Sequence, residues 1–171
     1  MRAIVTGGAG FIGSHLVDAM LNENIDVMVL DNFSTGRPEN LAHVREKIKL
    51  VECNLAVQGE WNKEFTNVDW VLHLAALADI VPSIQRPEAY FRANVDGTFN
   101  VLQAAKTAGV KRFIYIASSS CYGIPDIYPT PEDAEMRPQY PYALAKWMGE
   151  ELVMHWAQVY SFPALSLRLF N

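Results

Sequence analysis

One short segment, Thr6-Gly7-Gly8-Ala9-Gly10-Phe11-Ile12-Gly13, sets the architecture of this chain, and it follows directly on the apolar run Ala3-Ile4-Val5. Beyond it, apolar residues recur at helical spacing until the polar stretch at residues 22–24. A glycine-rich turn between a strand and a helix directs backbone amides and the positive end of the helix at one place, which binds anionic groups such as a pyrophosphate. The segment therefore predicts a nucleotide-binding cradle at the carboxyl end of a first strand.

Apolar runs and helical patterns alternate along the rest of the chain. The runs are rich in Val, Ile and Leu without strict polar alternation, which is typical of strands covered on both faces. They occupy residues 2–6, 26–30, 49–52, 70–74, 112–117 and 164–169, and the longest helical patterns occupy 87–108 and 141–160. Six strands alternating with helices predict an α/β fold with a doubly wound parallel sheet (Rossmann fold), three layers α/β/α and strand order 3-2-1-4-5-6.

Composition narrows the class of protein. The 171 residues are 50% hydrophobic and 19% charged, which predicts one globular domain, and the net charge of −5 without a basic block argues against a nucleic-acid binder. No apolar stretch is long enough for a membrane span, and no signal peptide is indicated. Two cysteines and four scattered histidines give neither a disulfide framework nor metal-ligand spacing. We expect a cytoplasmic protein with no metal and no membrane contact.

An acidic residue follows the second predicted strand. Asp31 lies about 20 residues beyond the glycine turn, where a carboxylate accepts hydrogen bonds from an adenosine ribose and repels a 2′-phosphate. The position favours NAD over NADP, although Arg37 lies close enough in sequence to keep NADP open. A turn that only packs a helix on a strand is the simpler alternative for the glycines.

A tyrosine and a lysine share one face of the last predicted helix. Tyr142 and Lys146 are four residues apart, and a neighbouring ammonium favours the phenolate, which makes such a tyrosine usable as a base or acid. Ser118, Ser119 and Ser120 follow the fifth strand at the same predicted edge of the sheet. The alternatives are a solvated lysine beside a half-buried tyrosine, and serines that only cap the next turn. His73 is expected to be a satisfied core residue rather than a catalyst.

Several motifs in register carry a resemblance to a known family. They are Thr6 to Gly13, Asp31-Asn32-Phe33-Ser34-Thr35-Gly36, His73-Leu74-Ala75-Ala76, Asn94-Val95-Asp96-Gly97-Thr98, Ser118 to Gly123 and Pro141 to Lys146. With them the whole chain resembles the extended short-chain dehydrogenase/reductase superfamily and, within it, the NAD-dependent epimerase/dehydratase family, closest to its UDP-glucose 4-epimerase-like members.

The resemblance implies roles for particular residues. Tyr142 would be the catalytic base, Lys146 would hold the nicotinamide ribose, and Ser118 would hydrogen-bond the sugar hydroxyl that is oxidised. The residues implied to bind NAD are Gly7, Gly10, Phe11, Ile12, Gly13, Asp31, Asn32, Ser34, Thr35, Gly36, Asn54, Leu55, Leu74, Ala75, Ala76, Asn94, Tyr142 and Lys146. Residues 1–171 would form the NAD-binding Rossmann domain with the catalytic Ser, Tyr and Lys, and the carboxyl-terminal substrate domain would not be included.

The function implied is NAD-dependent epimerisation of a nucleotide sugar, of UDP-hexose type, at C4 through a transient 4-keto intermediate. A 4,6-dehydratase of the same family carries an Asp and a Glu where Ser119 and Ser120 stand, so dehydration ranks lower. A reductase, or a non-enzymatic NAD-binding redox sensor, is a further alternative. The family's pairing of long helices implies a homodimer, with Phe99, Leu102, Trp147 and Leu152 as candidate interface residues.

Overall fold

A computed structural model describes residues 1–170, and its centre is a six-stranded sheet in which every neighbouring pair is parallel. The strands are β1 (Arg2–Thr6), β2 (Asp26–Asp31), β3 (Lys49–Glu52), β4 (Trp70–His73), β5 (Arg112–Ser118) and β6 (Ala164–Leu169). Their order is β3-β2-β1-β4-β5-β6. The predicted doubly wound sheet and its strand order are confirmed.

Helices cover both faces of this sheet. They are α1 (Phe11–Asn22), α2 (Ile80–Gln85), α3 (Pro87–Phe91), α4 (Gly97–Ala108) and α5 (Pro141–Tyr160). A π-helical segment, Arg92–Asp96, joins α3 to α4, and 3-10 segments lie at Pro38–Lys47, Glu60–Phe65 and Ser119–Tyr122. Proline at the first position starts α5, and Gly109 ends α4 in the left-handed conformation, with φ of 69°.

The prediction differs from the structure in detail. The helical pattern at 87–108 is not one α-helix, because the π-helical segment interrupts it. Hydrophobic periodicity does not register one inserted residue within a helix, since the apolar face continues on both sides. The short helix α2 and the 3-10 segment Pro38–Lys47 were also outside the prediction. Strands β2 and β5 each extend one residue further, to Asp31 and Ser118.

Two apolar layers stabilise the fold. One lies between the sheet and helices α4 and α5 and includes Leu30, Phe113 and Tyr115, and the other lies on the α1 side and includes Val5, Val17 and Val29. Burial of this apolar surface is the main favourable contribution to folding. It also fixes the carboxyl ends of β1, β2, β4 and β5 side by side, and the site described below lies at that edge.

The α1 side of β6 is less completely covered. Leu165, Leu167 and Leu169 are each 40–42% exposed. In the sheet register the first two lie beside Ile114 and Ile116 of β5, and Leu169 lies beside Ser118. The opposite side of β6 packs on α5. In the part of the chain that the structure describes, no helix is long and apolar enough to cross a membrane.

Candidate active site

The glycine turn forms a tight cradle at the end of β1. Gly7 has φ of 69°, and a Cβ there would lie 2.7 Å from the backbone nitrogen of Ala75. A Cβ on Gly13 would overlap the carbonyl oxygen of Gly7 and approach the Cα of Gly8 to 2.7 Å. The loop therefore lies directly on the first turn of α1, and only glycine permits this approach. This is the close backbone geometry that a pyrophosphate cradle requires.

Asp31 holds the rim of the cradle. Its Oδ2 accepts a hydrogen bond from the Ala9 nitrogen at 2.9 Å, and its Oδ1 accepts one from the Phe33 nitrogen at 2.8 Å. The residue is only 7% exposed, at the carboxyl end of β2. Arg37 donates its backbone nitrogen to the Ala9 carbonyl at 3.0 Å, and the residue is exposed. The Asp31 carboxylate thus braces the loop and also borders the cleft.

A cleft opens above this cradle at the carboxyl edge of the sheet. Twelve of the predicted cofactor residues line it: Gly7, Gly10, Asp31, Asn32, Ser34, Thr35, Gly36, Asn54, Leu55, Leu74, Ala75 and Ala76. Five further residues line it that the sequence analysis did not identify: Leu30, Cys53, Ala56, Leu77 and Ala93. All five are immediate neighbours of predicted residues, and Ala93, next to Asn94, reaches the cleft from the π-helical segment.

The other predicted cofactor residues lie elsewhere. Phe11 and Ile12 begin α1 and are 77% and 51% exposed, and Gly13 lies beneath the glycine loop. Asn94 is buried, and its polar atoms do not face the cleft. Its Oδ1 accepts from the Leu77 nitrogen at 2.7 Å, and its Nδ2 donates to the Leu77 carbonyl at 3.0 Å. Asn94 therefore acts on the cleft wall through Leu77.

The three serines lie at the end of β5. Ser118 Oγ is 2.8 Å from Ser120 Oγ and accepts a hydrogen bond from the Ser120 nitrogen at 3.2 Å, so it caps the 3-10 segment Ser119–Tyr122. Cys121 in that segment donates its thiol to the Ala143 carbonyl at 3.5 Å. Burial raises the pKa of the Cys121 thiol to about 11, with a smaller contribution from the Glu150 charge. This contact places the serines next to the first turn of α5.

Tyr142 lies in that first turn of α5, half-buried. Its ring meets Tyr90 of α3 edge to face, with ring centroids 6.4 Å apart. Tyr90 donates its hydroxyl to the carbonyl of Ala78, in the segment that continues the cleft wall. The Tyr90 ring thereby links Tyr142 to the wall.

Lys146 lies one turn further along α5 and is almost fully buried. Its Nζ donates to the Ile116 carbonyl at 2.5 Å and lies 4.3 Å from the centroid of the Tyr115 ring. Burial lowers the pKa of Lys146 to about 8, and the nearby Cys121 and Glu150 oppose that shift. Within residues 1–170, no hydrogen bond joins Lys146 to Tyr142. The lysine is held by β5, on the same helical face as the tyrosine.

A charged cluster beside Lys146 was not identified from the sequence. Glu150, on the next turn of α5, is 4% exposed and pairs with Arg168 at the end of β6. Arg168 also donates to the Tyr122 hydroxyl at 2.5 Å and to the Glu132 carbonyl at 2.7 Å. One guanidinium thus connects β6, α5 and the loop after the serines. Among residues 1–170, no group of His, Cys, Asp or Glu is arranged to hold a metal ion.

The sequence of this chain is similar to those of known proteins. The profile of the NAD dependent epimerase/dehydratase family matches residues 3–171. UDP-glucose 4-epimerase of Haemophilus influenzae is 36% identical over 179 aligned positions, covering 100% of this chain and 53% of that protein. The chain therefore spans about half the length of that relative.

Solved structures with related sequences have the same fold as this chain. UDP-glucose 4-epimerase from Brucella ovis, in complex with NAD, is 31% identical with a TM-score of 0.92, covering 99% of this chain and 52% of that one. The dTDP-glucose 4,6-dehydratase DesIV of Streptomyces venezuelae, also with NAD bound, is 32% identical with a TM-score of 0.93, covering 98% and 55%. Similarity of fold does not by itself separate these two reactions. The chain belongs to the NAD dependent epimerase/dehydratase family.

Proposed function

We propose that this chain is the NAD-binding and catalytic portion of a nucleotide-sugar 4-epimerase that acts on a UDP-linked hexose. The observation that carries the proposal is the placement of Ser118, Tyr142 and Lys146 at the same sheet edge as the glycine cradle, joined through the Cys121 contact to α5. The UDP-glucose 4-epimerase relative supports the reaction and the substrate class.

The cleft residues fit NAD. Glycine at positions 7 and 13 leaves room that a Cβ would fill, so a pyrophosphate can approach the backbone amides and the start of α1. The Asp31 carboxylate lies where it can accept hydrogen bonds from the hydroxyls of the adenosine ribose. Its negative charge would repel a 2′-phosphate. Asn54 and Leu55 form the side of the cleft that would hold the adenine.

NAD, when bound, would accept a hydride from the sugar and return it to the opposite face of the ketone. The chain's own residues would handle the proton. Tyr142 would remove the proton of the sugar 4-hydroxyl, and Ser118 would hydrogen-bond that hydroxyl and hold it in place. The Lys146 charge would stabilise the Tyr142 phenolate and its ammonium would bind the nicotinamide ribose. In this role Lys146 would exchange its hydrogen bond to Ile116 for the ribose.

Epimerisation is preferred to dehydration because the leaving hydroxyl of a dehydratase needs a proton donor. Ser119 and Ser120 stand after Ser118, and Ser120 is engaged by Ser118. A serine hydroxyl is a far weaker acid than a carboxylic acid near neutral pH. Release of a 6-deoxy-4-keto sugar by this protein would overturn the preference.

The proposal includes a homodimer in the cytoplasm. Phe99 is 39% exposed on α4, beside Trp156 of α5, whose Nε1 has no hydrogen-bond partner within residues 1–170. Trp147 and Leu152 are partly buried on α5, whereas Leu102 is fully buried in the core and is not an interface residue. Two free cysteines, Cys53 and Cys121, support a reducing compartment. Sedimentation of parent and Phe99→Lys chains would test the dimer, since a charge there should yield monomers.

Calorimetric titration with NAD and with NADP tests the cofactor proposal. We expect NAD to bind, NADP to bind at least about tenfold more weakly, and Asp31→Ala to narrow that difference. In the complete enzyme, Tyr142→Phe should bind NAD normally and lose interconversion of UDP-glucose and UDP-galactose. Retained interconversion in that variant would reject the role of Tyr142. Binding of NAD without any reaction with a nucleotide sugar would favour a redox sensor.

A further inference from the structure

A buried chain of hydrogen bonds passes through His73, the last residue of β4. The residue is 1% exposed. Its Nδ1 lies 2.7 Å from Thr6 Oγ1 on β1, and its Nε2 lies 3.0 Å from Thr98 Oγ1 on α4. Thr6 and Thr98 are buried as well. These contacts agree with the expectation that His73 is a satisfied core residue. The donor and the acceptor of each hydrogen bond can also be identified.

The proton of each group in this chain can be assigned. Thr98 donates its single hydroxyl proton to the Asn94 carbonyl at 2.6 Å, so it can only accept from His73. His73 therefore carries its proton on Nε2, and Nδ1 is an acceptor for the Thr6 hydroxyl. Thr6 Oγ1 in turn accepts from the backbone nitrogen of Ala75 at 3.1 Å. One neutral tautomer satisfies every member.

Both ends of the chain reach the same wall of the cofactor cleft. At one end Thr6 holds Ala75, and the residue after Thr6 is Gly7, which has no room for a Cβ against Ala75. At the other end Asn94 holds both backbone groups of Leu77. One imidazole thus helps to fix the distance between the glycine loop and the cleft wall. It also helps to fix the backbone of that wall from Ala75 to Leu77.

We propose that His73 is a positioning residue for the cofactor: its Nε2–H tautomer sets the spacing between Gly7 and Ala75, and dinucleotide affinity depends on that spacing. The ring lines no part of the cleft and acts only through Thr6 and Thr98. The proposal rests on the proposed function to the extent that NAD is the ligand.

The surroundings of the ring keep it neutral. Phe113 and Tyr115 of β5 pack against it with ring centroids 6.0 and 5.9 Å away. Burial lowers the pKa of His73 to about 3, and the charge of Lys146 adds to this effect. A second ring proton would face the proton of Thr6, so the imidazolium does not fit the chain.

Three variants distinguish the hydrogen bond of His73 with Thr6 from its hydrogen bond with Thr98. His73→Asn places a side-chain oxygen near the Nδ1 position and keeps an acceptor for Thr6, whereas His73→Gln places an amide nitrogen near Nε2 and keeps a donor for Thr98. His73→Leu keeps neither. The control is Phe162→Leu, which thins the same core at the amino-terminal end of β6, away from the cleft. Each chain is titrated calorimetrically with NAD, and its free energy of unfolding is measured in urea.

We expect His73→Leu and His73→Gln to weaken NAD binding by about tenfold or more, and His73→Asn to stay within about threefold of the parent. Phe162→Leu should lose stability and keep its NAD affinity. In nitrogen NMR of the unaltered chain with isotope-labelled histidine, the His73 ring should show the neutral Nε2–H form.

Several results would overturn the proposal. It fails if His73→Leu binds NAD as tightly as the parent, if Phe162→Leu loses as much affinity as His73→Leu, or if the NMR spectrum shows Nδ1–H. If His73→Leu does not fold, the comparison of His73→Asn with His73→Gln and the spectrum of the parent still decide. If the parent binds no NAD, the proposed function fails, and the affinity statement fails with it. If the parent binds NAD but the variants do not differ, only the role of His73 is lost.

Discussion

The Nε atom of Arg168 lies 3.0 Å from Oε1 and 3.1 Å from Oε2 of Glu150, and this pair joins the end of β6 to the third turn of α5. The Glu150 side chain is 6% exposed and that of Arg168 is 23% exposed. A carboxylate buried to this degree needs its partner, because water does not replace the guanidinium. The pair therefore holds the end of β6 against α5, one turn beyond Lys146.

Removing one member of this pair should cost more than removing both. Arg168→Met leaves the Glu150 carboxylate buried without its cation and should lower the free energy of unfolding by about 3 kcal/mol. The double variant Glu150→Met with Arg168→Met should recover most of that loss, since neither charge then remains. Urea unfolding of the parent, the single variants Arg168→Met and Glu150→Met, and the double variant gives the coupling energy. Equal losses in the single and the double variant would show that the guanidinium acts through its contacts with Tyr122 and the loop instead.

Gly13→Ala should damage the cofactor site, whereas Gly109→Ala should not. An alanine at position 13 would meet the Gly7 carbonyl and the Gly8 Cα, so the loop has to move away from α1. We expect at least about a tenfold loss of NAD affinity in calorimetric titration. Gly109 has a left-handed backbone, with φ of 69°, but a Cβ there touches nothing. That control should lose about 1 kcal/mol of stability and keep its affinity for NAD. Unchanged binding by Gly13→Ala would contradict a pyrophosphate cradle.

Lys146 should be a cost to stability in the absence of cofactor. Burial lowers its pKa from 10.5 to about 8, so between these two values the unfolded chain binds the proton that the folded chain has released. The free energy of unfolding contributed by this residue therefore rises as pH increases through that window, and is least favourable near neutral pH. Lys146→Met should melt at a higher temperature than the parent near neutral pH.

The difference in melting temperature between these two chains should shrink as the pH rises towards 10.5. Thermal scans without NAD, at several pH values, measure it. The variant Lys111→Met is a matched control, because Lys111 is exposed on the surface in an ion pair with Asp69. A Lys146→Met chain that melts below the parent at every pH would show that the hydrogen bond to Ile116 outweighs the cost of the buried charge.

Acid should destabilise the fold through His73. Burial lowers the pKa of this imidazole from 6.5 to about 3. The neutral ring therefore contributes to the free energy of unfolding above pH 6.5, and this contribution is lost as the pH falls towards 3. The unfolded chain takes up a proton in this window and the folded chain does not. His73→Gln does not titrate, and the free energy of unfolding should fall less steeply with acid in this variant. Urea titrations at matched pH values compare the two slopes, and parallel slopes would contradict a neutral buried ring.

The sheet was predictable because its signals are local. Each strand is a short run of Val, Ile and Leu, and the glycine segment marks a turn where the chain passes close to a helix. Asp31 could be placed for the same reason, since it ends a strand at a fixed distance from that turn. Twelve of the residues that line the cleft follow from these motifs and from the family resemblance.

What the sequence did not reveal depends on contacts between distant residues. Ala93 lines the cleft from the π-helical segment Arg92–Asp96, and periodicity does not register the extra residue of such a segment. The pairing of Glu150 with Arg168 joins residues 18 apart in sequence, and nothing in their spacing marks it. The family resemblance implies that Asn94 binds the cofactor. In the structure its side chain hydrogen-bonds the backbone of Leu77, which lies within reach only in the folded chain.

The uncovered leucines of β6 have a practical consequence for handling the protein. Leu165, Leu167 and Leu169 lie on the last strand of the sheet, whose outer backbone groups have no neighbouring strand within residues 1–170. Such an edge can pair with the same edge of another molecule, and apolar side chains on one face strengthen the pairing. A net charge of −5 spread over the whole surface opposes this association only weakly at physiological salt. In samples of residues 1–171 alone we therefore expect association through this edge of the sheet, and the variant Leu167→Lys should reduce it.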